Sequence, residues 1–149
     1  TRRKLLATPL TMEMNLLACL ETNTKEMLVG SAYFLRMSPA GKKGELASRL
    51  AENLLDPEFL QQMLDEYLEG NERETLKWML ETGGVRPWEE FVQKYGDDMN
   101  ESVYWNYHDP QSISGRLRMS GLFYSGMLEG QPVAFIPADV RPLMRALLK

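Results

Sequence analysis

Reactive and metal-binding side chains are scarce in this chain of 149 residues, which has one cysteine, Cys19, and one histidine, His108. A single cysteine cannot close an internal disulfide, and a single histidine cannot supply a two-histidine metal site. The sequence therefore excludes a disulfide-stapled scaffold and an ordinary zinc module, and it predicts no metal and no cofactor. We expect the lone thiol to be buried and inert in an apolar helix.

Long hydrophobic runs are also missing. The stretch at residues 5–20 is interrupted by Thr8, Pro9 and Glu13, and it falls short of the ~20 apolar residues that a membrane span needs. There is no glycine-rich phosphate loop, nucleophile elbow or paired acid and base signature. We therefore expect a non-catalytic, cytoplasmic protein that neither enters a membrane nor acts on a small molecule. Because the chain starts with Thr1 rather than Met, we expect a piece of a longer protein or a processed start.

Charge is distributed unevenly, although the formal net charge is only −4. Residues 1–50 carry eight Lys and Arg against four Asp and Glu, residues 51–109 carry four against fifteen, and residues 110–149 carry five against two. A protein with basic ends and an acidic middle can present one positive face to phosphates. The arrangement of the charges in space, rather than their total, decides whether the chain binds a polyanion.

Apolar periodicity predicts a mainly α fold. Helices are expected at residues 10–20, 24–35, 43–55, 56–70, 71–83, 87–95, 110–120 and 138–148. The helical periodicity ends at residues 122–136, where two apolar runs flank a turn and predict one small β-hairpin. We expect a helical half at residues 1–70 and a second half at residues 71–149.

One helix, a short extended link and a second helix follow each other at residues 24–50. The pattern is carried by Thr24 as a cap, Leu35-Arg36-Met37, Gly41-Lys42-Lys43 and Glu45-Leu46-Ala47-Ser48-Arg49-Leu50. This order resembles the SAP-like helix-extended-helix motif. It departs from the motif at Arg36, where glycine is usual, and at Gly44, which weakens the second helix by about 1 kcal/mol relative to alanine.

The resemblance to SAP-like motifs implies DNA binding. A helix N-terminus beside Lys42 and Lys43 offers both charge and backbone donors to a phosphate, and Arg49, with Lys25 and Arg36, extends that face. No base-reading residues stand out. We therefore expect weak, sequence-independent binding, with dissociation constants on the order of 10⁻⁴ to 10⁻⁶ M.

The element order from residue 71 to residue 136 is helix, turn, helix, loop, helix and hairpin. It resembles a winged-helix domain, in which the third helix enters the major groove. Here that helix spans residues 110–120, and Arg116 and Arg118 are suited to groove contacts. Winged helices also serve as protein-interaction modules. A SAP-like unit followed by a winged helix looks like accessory regions of some DNA helicases.

Two hypotheses follow. In the first, the chain is a nucleic-acid-binding accessory module that contacts the DNA backbone through Lys25, Arg36, Lys42, Lys43, Arg49, Arg116 and Arg118. In the second, it is a protein-interaction or scaffolding module that uses the acidic middle and the aromatic loop at residues 104–107. Tyr104, Trp105 and Tyr107 either pin that loop to the core or form a stacking or partner-anchoring patch.

Overall fold

The structure is a computed structural model that describes the backbone of residues 2–149 and the side chains of residues 4–149. Helices make up 52 % of the chain and are accompanied by a small four-stranded sheet. The predicted mainly α class is therefore confirmed, and the strands are few and short.

The first half is helical and follows its local capping signals. Thr24 caps the third helix by accepting a hydrogen bond from the backbone N–H of Met27, and Asp56 caps the fifth, whose first residue is Pro57. The elements are α1 (Arg2–Ala7), β1 (Pro9–Leu10), α2 (Leu16–Glu21), α3 (Lys25–Phe34), α4 (Lys43–Leu54) and α5 (Pro57–Gln62), which continues into a π-helical turn (Met63–Tyr67).

The second half alternates short helices and strands. An irregular loop at residues 96–112 separates two of its helices, as the long polar segment predicts. The elements are α6 (Gly70–Leu80), β2 (Val85–Pro87), α7 (Trp88–Tyr95), α8 (Ile113–Met119), β3 (Tyr124–Leu128), β4 (Gln131–Phe135) and α9 (Arg141–Leu147).

The sheet has the order β1-β3-β4-β2. β3 and β4 form the predicted hairpin, and its two-residue turn, Glu129 and Gly130, has positive φ at both positions, as a type I′ turn requires. β2 extends the hairpin antiparallel to β4, and β1 pairs in parallel with β3. The sheet thus joins a strand from the first fifteen residues to strands of the second half.

The helix predicted at residues 10–20 is wrong in its first part. The carbonyl oxygen of Thr8 accepts a hydrogen bond from Met127 N at 2.7 Å, which holds the following residues as strand β1. The helix begins only at Leu16, whose N–H donates a hydrogen bond to the carboxylate of Asp139 at 2.8 Å. Tertiary hydrogen bonds from the far end of the chain therefore override the local helical periodicity.

One buried apolar cluster contains residues from both halves, among them Leu16, Leu50, Phe91 and Phe135. The two ranges predicted as domains, 1–70 and 71–149, share this cluster as well as the sheet. Their separation into independent folding units stays a prediction. Among the described residues, no helix combines the length and the apolar character that crossing a bilayer demands.

The parallel pairing of β1 with β3 depends on close backbone approach at Gly126. A Cβ at this position would collide with the carbonyl oxygen of Thr8 and with the side chain of Leu10. We expect Gly126→Ala to lower the free energy of unfolding by about 1–3 kcal/mol, measured by urea denaturation.

Gly44→Ala is the matched control for this substitution. Gly44 lies in the first turn of α4 with no neighbouring atom within 4 Å of a built Cβ. Alanine there should raise the stability by up to about 1 kcal/mol, because glycine is the poorer helix former. Equal effects of the two substitutions would contradict the packing at Gly126.

Candidate binding surfaces

α8 is the helix from which groove contacts were expected, and the loop before it binds its N-terminus. Ser112 caps the helix by accepting a hydrogen bond from Gly115 N at 2.9 Å. The carboxylate of Glu101 accepts hydrogen bonds from the backbone N–H groups of Gln111 and Ser112 at 2.6 and 2.9 Å. A carboxylate from this protein therefore occupies the end of the helix that attracts anions.

Arg118, which was predicted as a nucleic-acid contact, lies inside the protein. Its side chain is 5 % exposed, and its Nε donates to the carboxylate of Asp98 at 2.7 Å. A second guanidinium nitrogen donates to Ser125 Oγ at 2.8 Å. The guanidinium also lies 5.6 Å from the ring centres of Trp88 and Phe123. A phosphate cannot reach this group without unfolding the site.

Arg116 is the second predicted groove contact, and its charge is compensated by a carboxylate. Its Nε donates at 2.6 Å to Glu72, a buried residue of α6, while the Arg116 side chain itself is 26 % exposed. Five of the seven α8 residues are buried, as listed here: Ser114, Gly115, Leu117, Arg118 and Met119. α8 is therefore largely buried in this fold.

Arg49 holds the link between α3 and α4 in place. Its Nη1 donates to the carbonyl oxygens of Ser38 and Ala40 at 3.0 and 2.8 Å. These bonds fix the extended link along the start of α4, so Arg49 has a positioning role in the link.

Arg36 adopts the conformation for which glycine is preferred. Its φ is +58°, and the N–H of the next residue, Met37, returns to the carbonyl of Ala32 as in a Schellman helix end. The Arg36 guanidinium lies 5.0 Å from the ring centre of Tyr67. A helix end that needs a left-handed residue is thus formed here by arginine, whose side chain contacts the ring of Tyr67.

Four of the predicted basic residues are exposed and take part in no ion pair that the structure describes: Lys25, Arg36, Lys42 and Lys43. Lys42 and Lys43 are adjacent at the start of α4, where Lys42 is the N-cap and makes no side-chain capping bond. Lys25 is the first residue of α3. The seven predicted residues therefore do not form one set of free charges, and Lys42 and Lys43 are the part that the sequence itself brings together.

The loop at residues 96–112 both packs and displays aromatic side chains. Trp105 is buried with Met27, Val103 and Met119, and its Cβ lies at contact distance from a Cβ built on Gly30 of α3. In contrast, Tyr104 and Tyr107 are 54 % and 83 % exposed. Trp105 therefore pins the loop to the core while the two tyrosines face solvent, and their use as a stacking or partner-anchoring patch stays a prediction.

A groove runs between α3 and this loop, and we call it the tyrosine groove after Tyr33, Tyr104 and Tyr107. Tyr33 contributes from α3 and is 59 % exposed. The groove has two adjoining compartments of about 510 and 260 Å³, which share Asn106 and Tyr107. Tyr33 was missed by sequence reasoning, although an aromatic residue between apolar positions of an amphipathic helix is a signal for an exposed anchor.

A group of buried titratable residues lies between α2 and the C-terminal segment. Burial, reinforced by the negative charge of Asp139, raises the pKa of Cys19 to about 12. Burial likewise raises the pKa of Tyr124, whose hydroxyl donates to Gly121 O at 2.9 Å, and it lowers the pKa of Arg141. Cys19 and Tyr124 are protonated at neutral pH, so neither is an activated nucleophile. Among the described residues, no group of three or more His, Cys, Asp or Glu side chains could hold a metal ion.

Comparisons with protein-family models, with curated proteins and with solved structures found no match to this chain.

The Arg118–Asp98 pair carries a prediction about stability. Asp98→Ala should lower the free energy of unfolding by about 3–5 kcal/mol, because it leaves the guanidinium buried without its counter-charge. Urea denaturation monitored by far-UV circular dichroism measures this difference.

The neighbouring acid provides the control for the ion pair. Asp97 is exposed and accepts one hydrogen bond from Met99 N, so Asp97→Ala should cost less than about 1 kcal/mol. Similar losses for the two alanine variants would show that Arg118 does not depend on Asp98.

Proposed function

We propose that this chain is a non-catalytic interaction module of a larger, cytoplasmic protein, and that the tyrosine groove docks a partner protein. The observation that carries the proposal is the convergence of three largely exposed tyrosines, Tyr33, Tyr104 and Tyr107, on one groove. Tyrosine is enriched at protein interfaces because it offers a large rigid apolar surface with one polar end. Folding alone gives no reason to expose three such rings beside each other.

The architecture of the second half supports an interaction role. The order α6-β2-α7-α8-β3-β4, with β4 between β2 and β3, resembles a winged helix. Since α8 is buried and both of its arginines are paired with carboxylates, the element that would read DNA in such a domain has no free face. This arrangement favours the use of winged helices as protein-interaction modules over their use as groove readers.

The first half supports a resemblance to the helix-extended-helix motif. Arg36 occupies the place where SAP-like motifs have glycine, and it has the positive φ that glycine favours. Arg49, at the arginine position of the motif, bonds to the link rather than to solvent. These features support a SAP-like helix-extended-helix fold at residues 24–50. Lys42 and Lys43 then supply its basic surface.

Site-specific photo-crosslinking tests the docking role. A benzophenone amino acid placed at Tyr107 or at Tyr33 of the full-length protein in its own cells should give the same crosslinked protein species. The same amino acid at Gln93, an exposed position of α7, should not give it. The shared species is expected because positions 33 and 107 line one compartment of the groove.

The outcomes of the crosslinking experiment separate the two hypotheses. A product that nuclease removes would identify a nucleic-acid partner and contradict protein docking. Different products at Tyr33 and Tyr107, or the same product at Gln93, would contradict a common site in the tyrosine groove.

Weak attachment to a nucleic-acid backbone is the second candidate function. It is favoured by the start of α4, where the N-cap carries no side-chain capping bond and the adjacent Lys42 and Lys43 are exposed. The backbone N–H groups of a first helical turn, together with two ammonium groups, suit a phosphate. Glu45 in the same turn limits the local positive charge.

A salt titration tests this second candidate. Fluorescence-anisotropy binding to unrelated duplexes should weaken as salt rises, with a slope in log K against log salt of about −2 for two phosphate contacts. Lys42→Glu/Lys43→Glu should abolish the binding. The control, Lys94→Glu/Lys149→Glu, changes the net charge equally at exposed positions elsewhere and should retain most of it. Equal losses in both double variants would show that only the total charge matters.

A further inference from the structure

The larger compartment of the tyrosine groove has an unusual combination of walls. Four aromatic residues line it, together with one carboxylate and one amide, as follows: Tyr33, Phe34, Trp105, Tyr107, Asp109 and Asn106. No lysine or arginine is among its lining residues within the described part of the chain. Asp109, the carboxylate among these residues, is exposed.

This combination suits a cation. The face of an aromatic ring is negative and attracts a cation placed over it, and a nearby carboxylate adds to that attraction. Guanidinium is planar, stacks on rings, loses its hydration readily and donates hydrogen bonds in a fork that fits a carboxylate. An ammonium group lacks the planar face, and a quaternary ammonium group has no N–H to donate to Asp109 or to Asn106.

We propose that the larger compartment binds an arginine side chain of the partner, inserted between the aromatic walls and paired with Asp109. The inference rests on the proposed docking function and specifies the chemistry of its partner. The smaller compartment beside it is lined by both Lys25 and Glu26, so its charges offset each other. The carboxylate of Asp109 therefore gives the groove as a whole its negative sign.

Trp105 is a buried lining residue of the compartment and is 3 % exposed. Its Nε1–H is buried and has no acceptor among the described residues. Because the residue lines the compartment, its indole N–H signal reports on a ligand that binds there.

The same surface is poorly suited to a nucleic acid. Exposed tyrosines can stack on bases, but single-stranded nucleic acid is also held by a positively charged groove along its backbone. Here Asp109 and Glu26 would face the phosphates, and Lys25 is the one basic residue that lines either compartment among the residues whose side chains are described. The charges thus favour a cationic peptide over a polyanion.

A nuclear magnetic resonance titration tests the proposal. The isotope-labelled chain of 149 residues is titrated with acetyl-Gly-Arg-Gly-amide, with the same peptide carrying neutral citrulline, and with the lysine analogue. The arginine peptide should shift the Trp105 Nε1–H and Tyr107 amide signals saturably, and its affinity should exceed that of the citrulline peptide by roughly three- to tenfold.

Two variants make the test specific. Asp109→Asn should lower the affinity for the arginine peptide towards that for the citrulline peptide, because only the aromatic rings are left to attract the guanidinium. The control, Glu52→Gln, removes one exposed carboxylate from α4, outside the groove, and should leave the affinity unchanged. Unchanged signals outside the groove in Asp109→Asn would show that the variant is folded.

Several outcomes would overturn arginine binding. They are equal affinity for arginine and citrulline, equal affinity for arginine and lysine, no effect of Asp109→Asn, the absence of any saturable shift, or tighter binding of a single-stranded oligothymidine. If the peptide titration fails while the crosslinks at Tyr33 and Tyr107 still lead to one protein, the docking role stands and only arginine recognition is contradicted. Loss of those crosslinks would remove the docking role itself.

Discussion

The structure depends on the way in which α8 is held inside the protein. Two arginines on this helix are matched by carboxylates, Arg118 by Asp98 and Arg116 by Glu72, at 2.7 and 2.6 Å. Removing an ion from water is unfavourable unless a partner of opposite charge and further hydrogen bonds are placed around it. The pairs therefore fix α8 in one orientation against α6 and the loop before it. Since Asp98 belongs to that loop, the pair that buries α8 also determines the course of the segment that displays Tyr104 and Tyr107.

Local signals in the sequence were sufficient for much of the helical framework. Thr24 caps the helix that it was predicted to cap, Asp56 caps the helix that begins at Pro57, and the two predicted apolar runs pair as the strands of the hairpin. Each of these signals acts between residues that are neighbours in the chain. Where a longer-range bond competes, as at Thr8 and Met127, the local pattern was misleading, because nothing near residue 10 indicates that a strand from the C-terminal half lies beside it.

The candidate site was harder to predict because it depends on which charged side chains form ion pairs in the folded chain. Sequence reasoning counts Arg116 and Arg118 as two positive charges on one helix. In the fold, their partners lie 44 and 20 residues away, so both charges are compensated by carboxylates and that of Arg118 is buried. The aromatic loop shows the reverse problem. Its composition fits both buried and exposed aromatic side chains. The contact of Trp105 with Gly30 of α3 shows that Trp105 is the buried one.

The contact of Trp105 with Gly30 also means that the tyrosine groove is formed before any partner binds. A loop of this length would ordinarily have to be ordered when a partner binds, which weakens association. Here Trp105 anchors the middle of the loop, while Asp98 and Glu101 tie its first part to α8 and to the start of that helix. The tyrosines are thus presented from a segment that folding has already ordered. The buried Asp98–Arg118 pair and the buried indole of Trp105 thus set the positions of the exposed rings and of Asp109, to which the proposed partner would bind.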